Sequence, residues 1–191
     1  RSDARAFCDE MEQRTGKRPL FLSCDVTDVE AIRSAIIEAA AAHGPITVLV
    51  NNAASQVVGP LDTLTSSAWA DMLGATFLSA VNLATALRPL MSAGASVVNV
   101  TSIEAGSAFP HHAHYAAAKA ALESFTRSAA LEWASAGIRV NAVAPGLVDR
   151  PGLAEDWPEG WEWWQRTCPL GRPIHPVEVA DAVCFLAAAS G

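Results

Sequence analysis

Ser96-Val-Val-Asn-Val-Thr101 is a short run rich in β-branched residues, and thirteen residues past Ser102, Tyr115-Ala-Ala-Ala-Lys119 opens a long alanine-rich stretch. A strand that gives way through a loop to a helix is one unit of a parallel crossover. Working outward, the pattern repeats. Upstream, Ile46-Thr-Val-Leu-Val50 is a continuous apolar strand of the kind buried on both faces, and residues 28–43 form a helix with Asp28 as N-cap and Gly44-Pro45 as its stop. Before these, 3–15 reads as an amphipathic helix closed by Gly16, and Pro19–Cys24 as a brief strand ending at Asp25. Residues 66–91 read as one long helix followed by the Gly94 turn. Downstream come the helix 113–136, the strand Ile138–Val143, an irregular flap over 146–176 that mixes Pro and Gly with Trp, and a last helix over 177–189. Alternating strands and helices predict an α/β fold, a doubly wound parallel sheet in three layers. Residues 1–191 read as one domain, without repeat or linker.

Two absences stand out. No Gly-rich turn follows a first strand, as phosphate binding at a helix N-terminus requires, and no strand follows the last helix. The expectation is a chain lacking a first β-α-β unit and a closing strand, inactive by itself.

Composition narrows the partners. With 191 residues, 51% of them hydrophobic, the chain can bury a large core. A net charge of −7 with only 13 Lys and Arg excludes nucleic acid and anionic membrane surfaces as partners. The most apolar run, Ile36–Ala54, is interrupted by Glu38, His43, Gly44 and Pro45, which predicts no membrane span. Cys8, Cys24, Cys168 and Cys184 lack C-x-x-C spacing and read as free buried thiols, hence a cytoplasmic location.

Chemistry concentrates where the first stretch ends. Four-residue spacing puts Tyr115 and Lys119 on one helix face, where an ammonium stabilises a phenolate and lowers the phenol pKa from about 10. Ser102, at a strand end, can hold a substrate oxygen in the same pocket. His111, His112 and His114 read as surface or pocket-wall residues, too closely spaced for a metal site. Glu104 meets a polar substrate group or caps its loop. Trp157, Trp161 and Trp164 fall on one face of a short flap helix between Pro158 and Pro169. Such a face packs the flap against the body or another subunit.

Cys24-Asp-Val-Thr-Asp28, Leu49-Val-Asn-Asn-Ala-Ala54, Val100-Thr-Ser102, Tyr115 with Lys119, and Ile138-Arg-Val-Asn-Ala-Val-Ala-Pro-Gly146 occur in this order. Together they resemble the short-chain dehydrogenase/reductase family, of the single-domain 3-oxoacyl-carrier-protein-reductase-like kind, from end to end of the chain. The resemblance implies hydride transfer between a nicotinamide cofactor and a ketone or secondary alcohol. It implies Ser102 on the substrate oxygen, Tyr115 as general acid or base, and Lys119 lowering the Tyr115 pKa and binding the nicotinamide ribose. It also implies Asp25 and Val26 at the adenine, with Asn51, Ala53, Pro145, Gly146 and Val148 along the ribose and nicotinamide. Arg1 with Ser2 resembles the basic version of the site that separates the two cofactors, favouring NADP(H) over NAD(H). Wide apolar faces on 66–91 and 113–136 mean burial on both sides, and the resemblance implies a four-helix contact between such helices, hence a homodimer or homotetramer; it also implies a flap that closes over substrate, with Trp157, Trp161 and Trp164 lining a lid over a hydrophobic or ring-bearing one.

Three positions depart from the family pattern. The asparagine that holds a relay water is replaced by Thr76, seven residues after Trp69, whose hydroxyl can also hold a water with shorter reach. Ala54 stands for a glycine. Arg150 stands for a threonine, and either reaches a cofactor phosphate or points to solvent. These departures leave a second reading open, a catalytically silent member kept for oligomerisation or cofactor sensing.

Overall fold

The computed structural model describes residues 2–55 and 57–188, the first two of them by backbone alone. Its centre is a parallel sheet in the order β1 (Val48–Asn51), β2 (Ser96–Val100), β3 (Arg139–Val143). β2 is the middle strand, and its first four residues are buried. Side chains alternate across it. On one face Val97 packs in the main core with Ile32, Ile36, Leu87 and Ala129, and Asn99 reaches Thr126. On the other, Ser96 bonds the carbonyl of Leu186. The helices therefore lie on both faces, giving the three expected layers.

α1 (Ser2–Thr15) ends at Gly16, and α2 (Val29–His43) begins at Asp28, whose carboxylate accepts the N–H groups of Glu30 and Ala31. Gly44, at φ 83°, closes α2. Pro19–Cys24 is irregular rather than a strand, with Leu20 and Phe21 exposed. No described strand lies beside this segment, and an apolar run cannot build a ladder without a partner for its backbone.

The expected single helix over 66–91 is broken in its middle. α3 (Ser66–Leu73) passes into a π turn at Gly74–Leu78, then α4 (Ser79–Leu87) and a 3-10 turn at Arg88–Leu90. The Ser79 N–H reaches back five residues to Gly74, while the Ser79 hydroxyl bonds the carbonyl of Ala75. Such an inserted residue is common at functional sites, and Thr76 sits inside it. By length and composition Ser66–Leu90 is apolar enough to cross a membrane. Here it packs between α2 and α5 (Ala113–Trp133), with Met72, Ala84 and Leu87 buried.

The flap holds α6 (Leu153–Asp156) and α7 (Pro158–Thr167). Its two ends meet where the Ile174 N–H bonds the Leu147 carbonyl and the Asp149 N–H bonds that of Ile174. The N-terminus of α8 (Pro176–Ala187) is tied to the flap by a bidentate Arg172–Glu178 pair, at 2.7 and 2.9 Å. Its C-terminal carbonyls, Leu186 to Ala188, all accept from the Arg139 guanidinium. The cysteines are free, but only Cys8 is buried; Cys24 and Cys168 are half-buried and Cys184 is exposed.

Candidate active site

The C-terminal ends of the three strands deliver Asn51, Ser102 and Pro145-Gly146 to one edge of the sheet. Beyond the ladder, the Thr101 N–H bonds Val143 and the Ile103 N–H bonds Pro145, so the two chain segments stay side by side as they leave the sheet. Ser102 then caps a 3-10 turn at Ile103–Ala105, its hydroxyl accepting the Glu104 N–H at 3.2 Å.

α5 brings Tyr115 and Lys119 against this edge. Lys119 is 2% exposed, and its Nζ donates to the Val100 carbonyl at 2.7 Å while lying 5.6 Å from the Tyr115 ring centre. Burial pulls its pKa down to about 8. Tyr115 does not follow the expected direction. Burial pushes its phenol above the usual value, the Ser102 hydroxyl acts the other way, and the charge of Glu104 adds to the rise. With Lys119 lowered to about 8, it is already neutral where the phenol titrates and offers the phenolate no charge, so desolvation decides the direction.

Asn51 anchors the β1 end. The Thr126 hydroxyl gives its hydrogen to the Leu122 carbonyl and accepts from Asn99 Nδ2, both at short range. Asn99 must therefore turn its Oδ1 to Asn51 Nδ2, at 2.8 Å. Asn51 Oδ1 is left buried without a donor.

Thr76 is fully buried, accepting the Ser55 N–H at 3.2 Å and facing Met72 Sδ at 3.4 Å. Asp25 is exposed, its carboxylate held by the Thr27 N–H and hydroxyl, which lowers its pKa. Val26 and Val148 are half-buried, and Ala53 is exposed. Arg1 lies outside the described residues. Arg150 is paired with Asp156 at 2.6 Å within the flap, both exposed, which favours the solvent reading.

The flap covers the β3 end. A Cβ on Gly146 would stand 2.9 Å from the Trp164 ring, so only glycine admits this contact. Trp164 also donates to the Arg172 carbonyl. Trp157 folds back over Gly160, where a side chain would overlap its ring. Trp163, outside the expected stripe, meets Phe109 edge-on at 6.1 Å.

His114 is wholly buried, not at a surface, with its ring against Trp69 and neither nitrogen bonded. His112 instead holds Glu104, Nδ1 lying 2.8 and 3.0 Å from the two carboxylate oxygens. Eight residues separate them, across a loop with no regular spacing, so no sequence signal pairs them. Among the described residues no cluster of three or more His, Cys, Asp or Glu forms.

Residues 1–190 match the family model described as enoyl-(acyl carrier protein) reductase. The chain is 39% identical over 188 residues to the cis-4-hydroxycyclohexanecarboxylate dehydrogenase of Sinomonas cyclohexanicum, covering 96% of this chain and 73% of that one. Among solved structures, a dehydrogenase/reductase from Sinorhizobium meliloti 1021 superposes with a TM-score of 0.93 at 28% identity, over 100% of this chain and 75% of that one. An NADPH-bound short chain oxidoreductase from Pseudomonas aeruginosa PAO1, containing an atypical catalytic center, gives 0.88 at 32% identity over 98% and 76%. A nearly full-length family match, joined to a serine, tyrosine and lysine gathered at the carboxyl ends of a parallel sheet, places the chain in the short-chain dehydrogenase/reductase family.

Proposed function

We propose that this protein interconverts a ketone and a secondary alcohol with a nicotinamide cofactor, using the Tyr115 hydroxyl as general acid or base. The observation that carries this reading is the placement of Tyr115 between buried Lys119 and the strand-end Ser102. Ser102 Oγ holds the substrate oxygen. The Tyr115 hydroxyl gives that oxygen a proton during reduction and takes one during oxidation. Lys119 keeps two of its three donors after bonding Val100, enough to meet ribose hydroxyls. The buried, donor-less Asn51 Oδ1 and the crevice beyond the strand ends suit a polar ligand there. The cofactor supplies or accepts the hydride. Asp25 and Val26 flank the adenine, and the backbone around Ala53, Pro145, Gly146 and Val148 follows the ribose and nicotinamide. NADP(H) is favoured over NAD(H) on Arg1. One lone pair on Thr76 remains for a relay water.

The aromatic flap suits an apolar or ring-bearing substrate, in keeping with the name of the relative from Sinomonas cyclohexanicum. Exposed Leu78 and Leu131, on the π turn and α5, suit a homodimer or homotetramer. Four unpaired cysteines fit the cytoplasm.

The test is reduction of a panel of cyclic ketones, followed by NADPH absorbance, in the native protein and Tyr115→Phe. Loss of about 10²- to 10⁴-fold in kcat with cofactor binding retained is expected. Equal rates would sink the assignment.

A further inference from the structure

We propose that Glu104 and His112 are positioning residues of this reaction, a clasp that holds the Ser102 segment against the Tyr115 helix and presents its net charge to the phenol. This rests on Tyr115 as the proposed acid–base group. The clasp joins the two segments that carry the chemistry. Glu104 lies two residues past Ser102, and its N–H already holds the Ser102 hydroxyl. His112 stands three residues before Tyr115 at the start of α5, a helix that has no side-chain N-cap. Their side chains are only 13% and 18% exposed, so the contact is shielded from screening, unlike a surface ion pair. The His112 ring meets the Tyr115 ring edge-on at 6.3 Å.

The charge of the clasp has a direction. With neutral His112 donating from Nδ1, the pair carries one negative charge on Glu104, behind the ring that meets Tyr115, and that charge opposes phenolate. The remaining groups around Tyr115 do not repeat this role. Ser102 is a hydroxyl, and Lys119, lowered to about 8 by burial, is neutral where the phenol titrates. His114 turns to Trp69 of α3, whose Asp71 is exposed. Asp149 and His175 at the flap base face each other at 3.8 Å.

Tyr115 is the sole tyrosine of the chain, so isotope labelling at tyrosine Cζ gives one resonance that reports its ionisation without turnover. The titration is followed in the cofactor-free native protein, Glu104→Gln and His112→Asn. Glu104→Gln keeps an acceptor for His112 and removes the charge. Its tyrosine midpoint moves to lower pH, and each unit of that shift raises the phenolate fraction below the midpoint about tenfold. The acid limb of kcat/KM for alcohol oxidation moves the same way. His112→Asn retains a donor for Glu104 and the carboxylate charge, so its midpoint does not fall. An unchanged midpoint in folded Glu104→Gln, or an equal fall in His112→Asn, overturns the proposal. Because the resonance needs no substrate, failure here is separable from failure of the catalytic reading, which Tyr115→Phe decides.

Discussion

Lys119 shows how a single side chain is bent to a site. Its ammonium is 2% exposed and held by one carbonyl, so folding lowers its pKa from 10.5 to about 8. Between these values the unfolded chain binds more protons than the folded one, and stability rises with pH. Below pH 8 the cost of burying the charge is present in full. Tyr115 works in the opposite sense at higher pH: its phenol titrates above 10 when folded, so stability falls as the unfolded chain ionises first. Urea denaturation of the native protein between pH 8 and 10 is therefore expected to show a rising midpoint, and Lys119→Met a flat one. Parallel pH profiles for the two proteins would remove Lys119 as the source. The spacing of Tyr115 and Lys119 made this pair legible in the sequence. The sign of the Tyr115 shift was not, because desolvation depends on what the fold stacks over the phenol. Nor was the Glu104–His112 clasp, whose partners meet only after the loop between them closes.

Elements were legible where local chemistry decides them. Asp28 and Gly44 bound α2 because a carboxylate can accept from the first free N–H groups and a glycine accepts a positive φ. Pro19–Cys24 misled, since its apolar content marks a strand only when a neighbour offers the matching backbone. The π turn at Gly74–Leu78 was hidden: Gly74 opens it, but the turn itself packs on α5 while α4 packs on α2, contacts that no local spacing announces. α8 depends on a distant side chain: Arg139, on β3, supplies the donors for its last carbonyls at 2.6 to 3.4 Å. Arg139→Ala is expected to cost about 1–3 kcal/mol and to speed amide exchange at the C-terminal turn of α8. Arg139→Lys recovers only part of this, as one ammonium cannot fork across three carbonyls. Unaltered exchange in α8 would show that the sheet contact of Ser96 suffices.

At the scale of the molecule, β1, β2 and α5 are joined by the buried chain Asn51–Asn99–Thr126. It fixes the strand ends relative to the helix that bears Tyr115, so the site inherits its geometry from the core. Asn99→Ala leaves Asn51 Nδ2 and the Thr126 hydroxyl without their partner and opens a cavity. A loss of about 2–4 kcal/mol is expected, lowering Tm by about 2–4 °C for each of these. Calorimetry with an unmoved Tm would show that the network is dispensable. The sequence by itself determined the alternation of strands and helices, the family, and the serine, tyrosine and lysine, because periodicity, caps and motif spacing act over a few residues. Only the tertiary structure decided that Pro19–Cys24 stays unpaired, that Thr76 lies in a π turn, that Trp164 covers Gly146, and that Glu104 meets His112. Each of those depends on which groups compete for one buried space, and burial is a property of the whole chain.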